Sequence, residues 1–173
     1  ATVTNSIIWA NTSPKGPEIS VEEPISTLTI AHSDVAGGQA EVNVEPGCTL
    51  DWVEGNIDAD PLFADTANDD YHLESEAGRW DPNKHVWVKD EVSSPCIDAG
   101  DPMSPIGWEP FSNGGFVNMG AYGATPKASK TYFGESISGT IVAGDINGDC
   151  QVNRADLEIM ALHWTDEEPL PLQ

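Results

Sequence analysis

Oxygen-bearing side chains recur at alternate positions near the end of this 173-residue chain, in the stretch GDINGDCQVNRADLEIMALHW. Ca²⁺ takes six to eight oxygen ligands, and alternate residues of a tight loop can direct their oxygens at one centre. The spacing therefore predicts a calcium site built from loop positions 1, 3, 5, 7, 9 and 12. In chain order these ligands are Asp145, Asn147, Asp149, Gln151 (through its backbone carbonyl), Asn153 and Asp156.

A short amphipathic helix is predicted to follow this loop. Leu157, Met160, Ala161 and Trp164 stand at i, i+3, i+4 and i+7, which places them on one apolar helix face. The competing interpretation is an acidic turn that only caps a helix, but the register of the oxygen donors favours the metal. A unit of about 30 residues cannot hold a core alone, so it needs both the ion and a surface to pack on.

Composition excludes several kinds of partner. Seven Lys or Arg residues stand against 29 Asp or Glu residues, and the formal net charge is −22. Such a chain repels nucleic acid and anionic membrane surfaces and attracts divalent cations. No apolar run approaches the length of about 18 residues that would indicate a membrane-spanning helix, so membrane insertion is not expected.

Short β-like runs separated by Gly, Asn and Asp turns fill the chain before residue 143. They return roughly every twenty residues, which fits the coils of a solenoid and also fits a β-sandwich. Spacing alone leaves both architectures open. The predicted strands are Ser6–Trp9, Ser26–Ala31, Val42–Val44, Pro61–Phe63, Tyr71–Leu73, Val86–Val88, Pro95–Ile97 and Phe116–Met119.

The domain organisation follows from changes in composition. Residues 1–125 form the β-rich part, and Trp80 and Trp87 flank an Asp-Pro-Asn-Lys turn that predicts a hairpin insertion near 74–92. Small and polar residues predict a linker over 126–143. The calcium-binding unit occupies 144–173.

Both parts resemble known families. The loop and helix resemble the dockerin repeat, a calcium-binding unit that docks into cohesin modules on bacterial surfaces. Residues 5–123 resemble the C-terminal coils of secreted right-handed parallel β-helix proteins from planctomycete-like bacteria, with the ending known as a choice-of-anchor segment. The matching pieces are NSIIWANT (5–12), AHSDVAGG (31–38), GNIDADPLFAD (55–65), DYHLESEAGRWDP (70–82), SSPCIDAGDP (93–102) and VNMGAYG (117–123).

The resemblance implies a mainly β fold: a short right-handed parallel β-helix with a small C-terminal EF-hand-like loop–helix. It also implies secretion to the extracellular space or cell surface, and work related to polysaccharides. In such a fold the first strand, which starts without a cap, would leave its backbone groups unpaired. Upstream coils or a neighbouring molecule would then cover it, and a head-to-tail contact that does not close produces a fibre.

Catalytic machinery is not expected. A β-elimination site needs a base and a cation, yet three of the four cations in the β-rich part, Arg79, Lys84 and Lys89, fall in the predicted insertion. The four histidines share no metal-like spacing. Cys48, Cys96 and Cys150 are too few for a disulfide framework, so they are either buried thiols or one disulfide and a free thiol.

Two further groups of residues each allow a functional and a plainer interpretation. Asp58 and Asp60 are candidates for a second calcium site or are solvated turn residues. Trp80, Trp87 and Trp108 are candidates for a sugar-stacking platform or cover the side of a solenoid.

The sequence thus predicts a secreted, non-catalytic, calcium-stabilised assembly module that associates with a protein partner. That partner is a cohesin-like module or another copy of the chain, and a polysaccharide is a further possible ligand. Head-to-tail self-association into an extracellular fibre or surface layer is the specific form. The alternative is the C-terminal, non-catalytic part of a polysaccharide-degrading β-helix enzyme, a lyase or glycosidase, that carries a dockerin.

Overall fold

The computed structural model describes residues 1–16 and 18–134, together with Arg154 and Leu157. The chain divides into two units, Ala1–Tyr132 and Phe133–Gln173. The predicted calcium ligands all lie outside the described residues, while Arg154 and Leu157 are helical. The first unit is mainly β, with two short 3-10 turns at Gly38–Glu41 and Thr66–Asn68.

Eleven short strands are described, and most of them follow runs of Val, Ile, Leu and Thr that suit a pleated, half-buried surface. Their bounds are β1 Thr2–Thr4, β2 Ile7–Ile8, β3 Ile19–Val21, β4 Thr27–Ala31, β5 Asp34–Val35, β6 Val42–Val44, β7 Thr49–Trp52, β8 Phe63–Asp65, β9 Asp70–Leu73, β10 Arg79–Asp81 and β11 Val86–Val88.

The first seven strands pair in parallel only. β4 lies between β1 and β7, β5 pairs with β2, and β6 pairs with β3. Thr2 pairs with Thr29, an offset of 27 residues, and Thr27 pairs with Thr49, an offset of 22. An isolated parallel bridge from Asp34 to Ile57 extends the second pair. Residues 2–57 therefore form successive turns whose strands lie in three parallel stacks. The first stack holds β1, β4 and β7, the second holds β2 and β5, and the third holds β3 and β6.

Left-handed corners separate the first stack from the second. Asn5, His32 and Gly55 have φ angles of 54°, 45° and 76°, and each follows the strand of its own turn closely. A Cβ at Gly55 would stand 2.1 Å from Nδ1 of His32, so the third corner has room only for glycine. The chain thus bends in the same way at equivalent points of three successive turns.

Polar side chains bind these corners to one another. The backbone N–H of Ser6 donates to Oγ of Ser33 at 3.3 Å, and the backbone N–H of Ser33 donates to Oδ1 of Asn56 at 3.1 Å. Nδ2 of Asn56 donates in turn to the carbonyls of Ile30 and Val53, both at 2.9 Å. Ser33 is fully buried, and its groups are satisfied within this ladder.

The core lies between the parallel stacks and the segments that follow them. Leu73, Cys96 and Met119 form a buried cluster. Ile7 and Ile57, from the second stack, pack against it, as do Phe63, Ile97 and Ala99. The later part of the unit therefore covers one side of the parallel strands.

Antiparallel pairs follow residue 60. β8 pairs with β9 through an irregular register, and β10 pairs with β11 so that Trp80 faces Trp87. This second hairpin lies within the predicted insertion at 74–92.

Two predicted strands are absent from the described residues. Residues 95–97 form turns and residues 116–119 form irregular backbone, joined by one bond from Met119 N to the Cys96 carbonyl at 2.9 Å. Side chains take the place of a strand partner here, because Ser94 Oγ accepts from Cys96 N and Asn118 Oδ1 accepts from Asp98 N. The prediction was wrong there, since apolar composition does not reveal such competing polar bonds.

The first residues of the expected linker belong to the β-rich unit. Ala128 and Ser129 are buried, and Oγ of Ser129 donates to the Leu73 carbonyl at 2.6 Å. The backbone N–H of Lys130 donates to the Gly78 carbonyl at 2.9 Å. The boundary between the two units falls later, between Tyr132 and Phe133.

Candidate functional site

The two outer strands of the three-stranded sheet have free edges among the described residues, because β1 and β7 each pair only with β4. In a strand, successive residues direct their backbone groups to opposite sides. Asn5 N donates to the His32 carbonyl and Val53 N donates to the Ile30 carbonyl, both towards β4 and its turn. It follows that the backbone groups of Thr4 in β1 and of Trp52 in β7 point away from β4.

The apolar face at the β1 end is partly open. Ile30 and Val35, in the middle turn, are fully buried. Their register partners in the first turn, Val3 and Ile8, are only half-buried. Valine and isoleucine side chains are thus less buried in the first turn than in the second, which leaves apolar surface beside the outward-pointing N–H of Thr4, whose carbonyl accepts from Oγ of Ser6 at 2.9 Å.

One corner of this end is covered by the chain itself. The backbone N–H groups of Gly120 and Asp101 donate to the carbonyl and to Oδ1 of Asn5, at 2.8 and 2.6 Å. Nδ2 of Asn5 donates to Oγ of Ser104 at 2.9 Å. The end expected to lack a cap is therefore closed at the Asn5 corner, and the open portion is the edge of β1.

Asp58 and Asp60, the candidates for a second calcium site, each accept a hydrogen bond from the backbone of a turn. Oδ1 of Asp58 accepts from Gly37 N at 2.9 Å, and Oδ1 of Asp60 accepts from Leu62 N at 3.0 Å. Within residues 1–16 and 18–134 no group of three or more His, Cys, Asp or Glu side chains could hold a metal ion. Asp58 and Asp60 therefore do not form a metal-binding cluster with their described neighbours.

A carboxylate–imidazole pair lies in the interior. Nδ1 of His72 is 2.5 Å from Oδ1 of Asp70, and the imidazole stacks on Tyr122 with ring centroids 3.6 Å apart. Arg79 joins this pair to Asp90 by donating from Nε at 3.0 Å and contacting Asp70 at 3.5 Å. Nε2 of His72 is buried and has no hydrogen-bond partner within the described part of the chain. A general base needs access to substrate, and with His72 only 1% exposed this pair is structural.

A thiol and a carboxyl group meet at the centre of the core. Sγ of Cys96 donates to Oδ2 of Asp34 at 3.1 Å, and both residues are fully buried. Burial, and then the bond to Asp34, raise the pKa of Cys96. A thiol held in its protonated form is not a nucleophile, so this cysteine has a packing role.

The cysteine alternatives are settled for two of the three residues. Cys48 and Cys96 are both free thiols, and Sγ of Cys48 donates to the Glu23 carbonyl at 2.9 Å. Cys150 lies outside the described residues.

Sequence reasoning missed a further buried carboxyl group, Glu109, which ties two loops together. Oε1 of Glu109 accepts from the backbone N–H groups of Asn118 and Ala124, both at 2.8 Å. Burial raises the pKa of Glu109, and its Oε2 is buried with no hydrogen-bond partner in residues 1–16 and 18–134. Among 29 acidic residues the sequence contains no signal that would distinguish this one.

The tryptophans differ in their availability to a ligand. Trp80 and Trp87 make an edge-to-face pair with centroids 5.9 Å apart, and Lys127 and Lys130 lie over them at 5.6 and 4.4 Å. These cations occupy ring faces that a sugar would need. Trp108 is 79% exposed and takes no part in the ring contact between Trp80 and Trp87.

Comparison with known proteins places the chain in a family. A family model described as "Disaggregatase related" matches residues 1–100. No curated protein and no solved structure matches the chain. Among the described residues no helix has the length and apolarity that a bilayer crossing requires. Since the match covers more than half of the 173 residues, the chain belongs to the disaggregatase-related family.

Proposed function

We propose that this chain is a non-catalytic assembly module that associates with another protein chain by adding strands to its open edges. The observation that carries the proposal is a difference in burial between residues that pair in successive turns. Ile30 and Val35 are fully buried, whereas their partners Val3 and Ile8 are not. An open strand edge next to half-buried apolar side chains is the surface on which a further strand docks.

In this proposal the parallel stacks are the coils of a short right-handed β-helix. Three features support it: exclusively parallel pairing along residues 2–57, offsets of 22 to 27 residues, and left-handed corners in register. Each coil of a solenoid contacts only its neighbours, so its end coils require a cap or a partner.

The specific form of the association is head-to-tail self-assembly. The free edge of β7 in one copy and the free edge of β1 in the next have the parallel polarity that β4 already satisfies within the chain. A contact between two different surfaces does not close when the operation is close to a translation, and it then produces a fibre. We propose that this occurs outside the cell, in a fibre or surface layer.

Calcium is proposed to stabilise the second unit. The loop ligands from Asp145 to Asp156 lie outside the described residues, so the support comes from their spacing. A helical backbone at Arg154 and Leu157 agrees with a helix that begins at the end of this loop. A cohesin-like module is a further partner for this unit.

The test is sedimentation velocity and electron microscopy of the purified chain in calcium. We expect concentration-dependent polymers, and we expect Thr4→Pro to abolish them because proline removes the outward-pointing N–H of β1. Thr12→Pro, at an exposed residue before β3, is the matched control and should leave the polymers intact. Circular dichroism checks that both variants fold.

A second candidate function comes from the family description. Its words relate the family to a disaggregatase, which favours the non-catalytic part of an enzyme that breaks up aggregates, including polysaccharide ones. In that case other coils of the same enzyme cover the β1 edge. Monodisperse particles at every concentration, unaffected by Thr4→Pro, would support this candidate against self-assembly.

A further inference from the structure

A cleft opens between the first turn of the parallel strands and the β8–β9 hairpin. Its volume is about 330 Å³, which suits a small organic group rather than a lone metal ion. Aromatic, aliphatic and acidic residues share its walls: Trp9, Asp60, Leu62, Phe63, Thr66 and Glu74. Among the residues that the structure describes, no lysine or arginine lines this cleft.

The two carboxylates of the cleft have no cation of their own. Asp60 accepts one bond, from Leu62 N at 3.0 Å, and the side chain of Glu74 makes no hydrogen bond to the described residues. Arg79, whose charge acts on Glu74, already binds Asp70 and Asp90. Burial, and then the charges of Asp90 and Asp60, raise the pKa of Glu74, while Arg79 lowers it. The cleft therefore carries uncompensated negative charge.

We propose that this cleft binds an alkylammonium group. Trp9 and Phe63 provide aromatic rings, whose faces attract cations, and Asp60 and Glu74 provide the opposite charge. Leu62 offers apolar contact for the carbon chain next to the nitrogen. The formal net charge of −22 also raises the local concentration of cations around the chain.

The same lining disfavours other ligand classes. An acidic ligand would meet two carboxylates without a basic residue to pair with, which costs affinity. A divalent metal would find fewer than three acidic or histidine ligands there. An ammonium group satisfies the charge and uses the aromatic and aliphatic walls as well, and it comes either from a free amine or from a lysine side chain of a protein.

Isothermal titration calorimetry of the full chain tests the proposal. The probes are Nα-acetyl-lysine methylamide, spermidine as the free amine, and Nα-acetyl-norleucine methylamide as an uncharged analogue of lysine. We expect binding of the charged probes, weakened by added salt, and none of the uncharged one. Tighter binding of the lysine probe identifies a protein side chain as the source, and tighter binding of spermidine identifies a free amine.

Matched variants locate the site. Glu74→Gln and Trp9→Ala should each reduce the affinity by on the order of tenfold, because each removes one charged or aromatic contact. Glu23→Gln and Trp108→Ala change the same residue types at exposed positions that do not line the cleft, and they should leave the affinity unchanged. The proposal is overturned if the uncharged probe binds equally well, if no charged probe binds, or if Glu23→Gln weakens binding as much as Glu74→Gln.

Discussion

Single buried acids decide how this chain responds to pH. Asp34 is fully buried, and burial raises its pKa above the ordinary value of 3.8, against the bonds from Cys96 and Ala59. Between pH 3.8 and its folded-state pKa, the folded state therefore binds more protons at Asp34 than the unfolded state does. The contribution of Asp34 to the free energy of unfolding therefore falls as pH rises from 3.8 through the folded-state pKa.

We expect Asp34→Asn to remove this part of the pH dependence, because asparagine has a similar shape and cannot ionise. Urea unfolding followed from acid to neutral pH measures it. The free energy of unfolding should decline less for Asp34→Asn than for the unchanged chain over that range. Asp69→Asn, at an exposed position, is the control. An equal decline in Asp34→Asn and the unchanged chain would contradict the assignment.

At the scale of elements, the stability of the parallel stacks depends more on the corner ladder than on strand length. The corner ladder is the set of hydrogen bonds that Ser33 and Asn56 make at the left-handed corners. Strands of two to five residues contribute few ladder bonds each. Asn56 makes three bonds, to the Ile30 and Val53 carbonyls and from Ser33 N, and it thereby joins two successive turns. The parallel stacks depend on such side chains for their register.

Asn56→Ala should lower the free energy of unfolding by about 2–4 kcal/mol, because it leaves a buried N–H and a carbonyl without partners. Asn43→Ala, which removes one exposed bond to Ser20, should cost less than about 1 kcal/mol. Chemical denaturation compares the two. Equal losses of unfolding free energy in the two variants would show that the bonds of Asn56 stabilise the fold no more than one exposed bond does.

The stability of the Trp80–Trp87 hairpin is expected to fall at acid pH. The Lys84 side chain and the backbone N–H groups of Lys84 and Asn83 lower the pKa of Asp81 to about 2. This carboxylate stabilises the turn above pH 3.8, and the stabilisation is lost as pH falls from 3.8 towards 2.

Asp81→Asn should therefore remove a transition at acid pH in the near-ultraviolet circular dichroism of the tryptophan pair. The unchanged chain should show that transition, with Asp69→Asn behaving like it. The same transition in Asp81→Asn would place its origin elsewhere.

Strand composition and turn residues predicted six of the eleven strands, in whole or in part. What sequence reasoning missed is the equivalence of three polar corners: Thr4-Asn5-Ser6, Ala31-His32-Ser33 and Glu54-Gly55-Asn56. Recognising it requires knowing that the three segments stack. The cleft could not be predicted, because Trp9 lies about fifty residues before Asp60 and only the tertiary fold brings them together.

At the scale of the whole molecule, the stability of the second unit is expected to depend on calcium. Asp145→Ala combined with Asp149→Ala removes two charged ligands and should abolish the rise in melting temperature that calcium produces. Differential scanning calorimetry with calcium and with a chelator measures it. Asp58→Asn combined with Asp60→Asn is the control and should retain the rise. A rise that survives the first pair and disappears with the second would move the metal to the β-rich unit.

The turns of the parallel stacks differ in length most between the second stack and the third. Ile8 pairs with Val35 and Ile19 with Val42, so the first turn holds four residues more than the second between these points. The surplus lies around Asn11–Lys15, at the surface and outside every ladder. A foreign peptide grafted into that loop should leave the strand register untouched, and each repeating subunit of an assembled fibre would then display it at regular intervals along the outside.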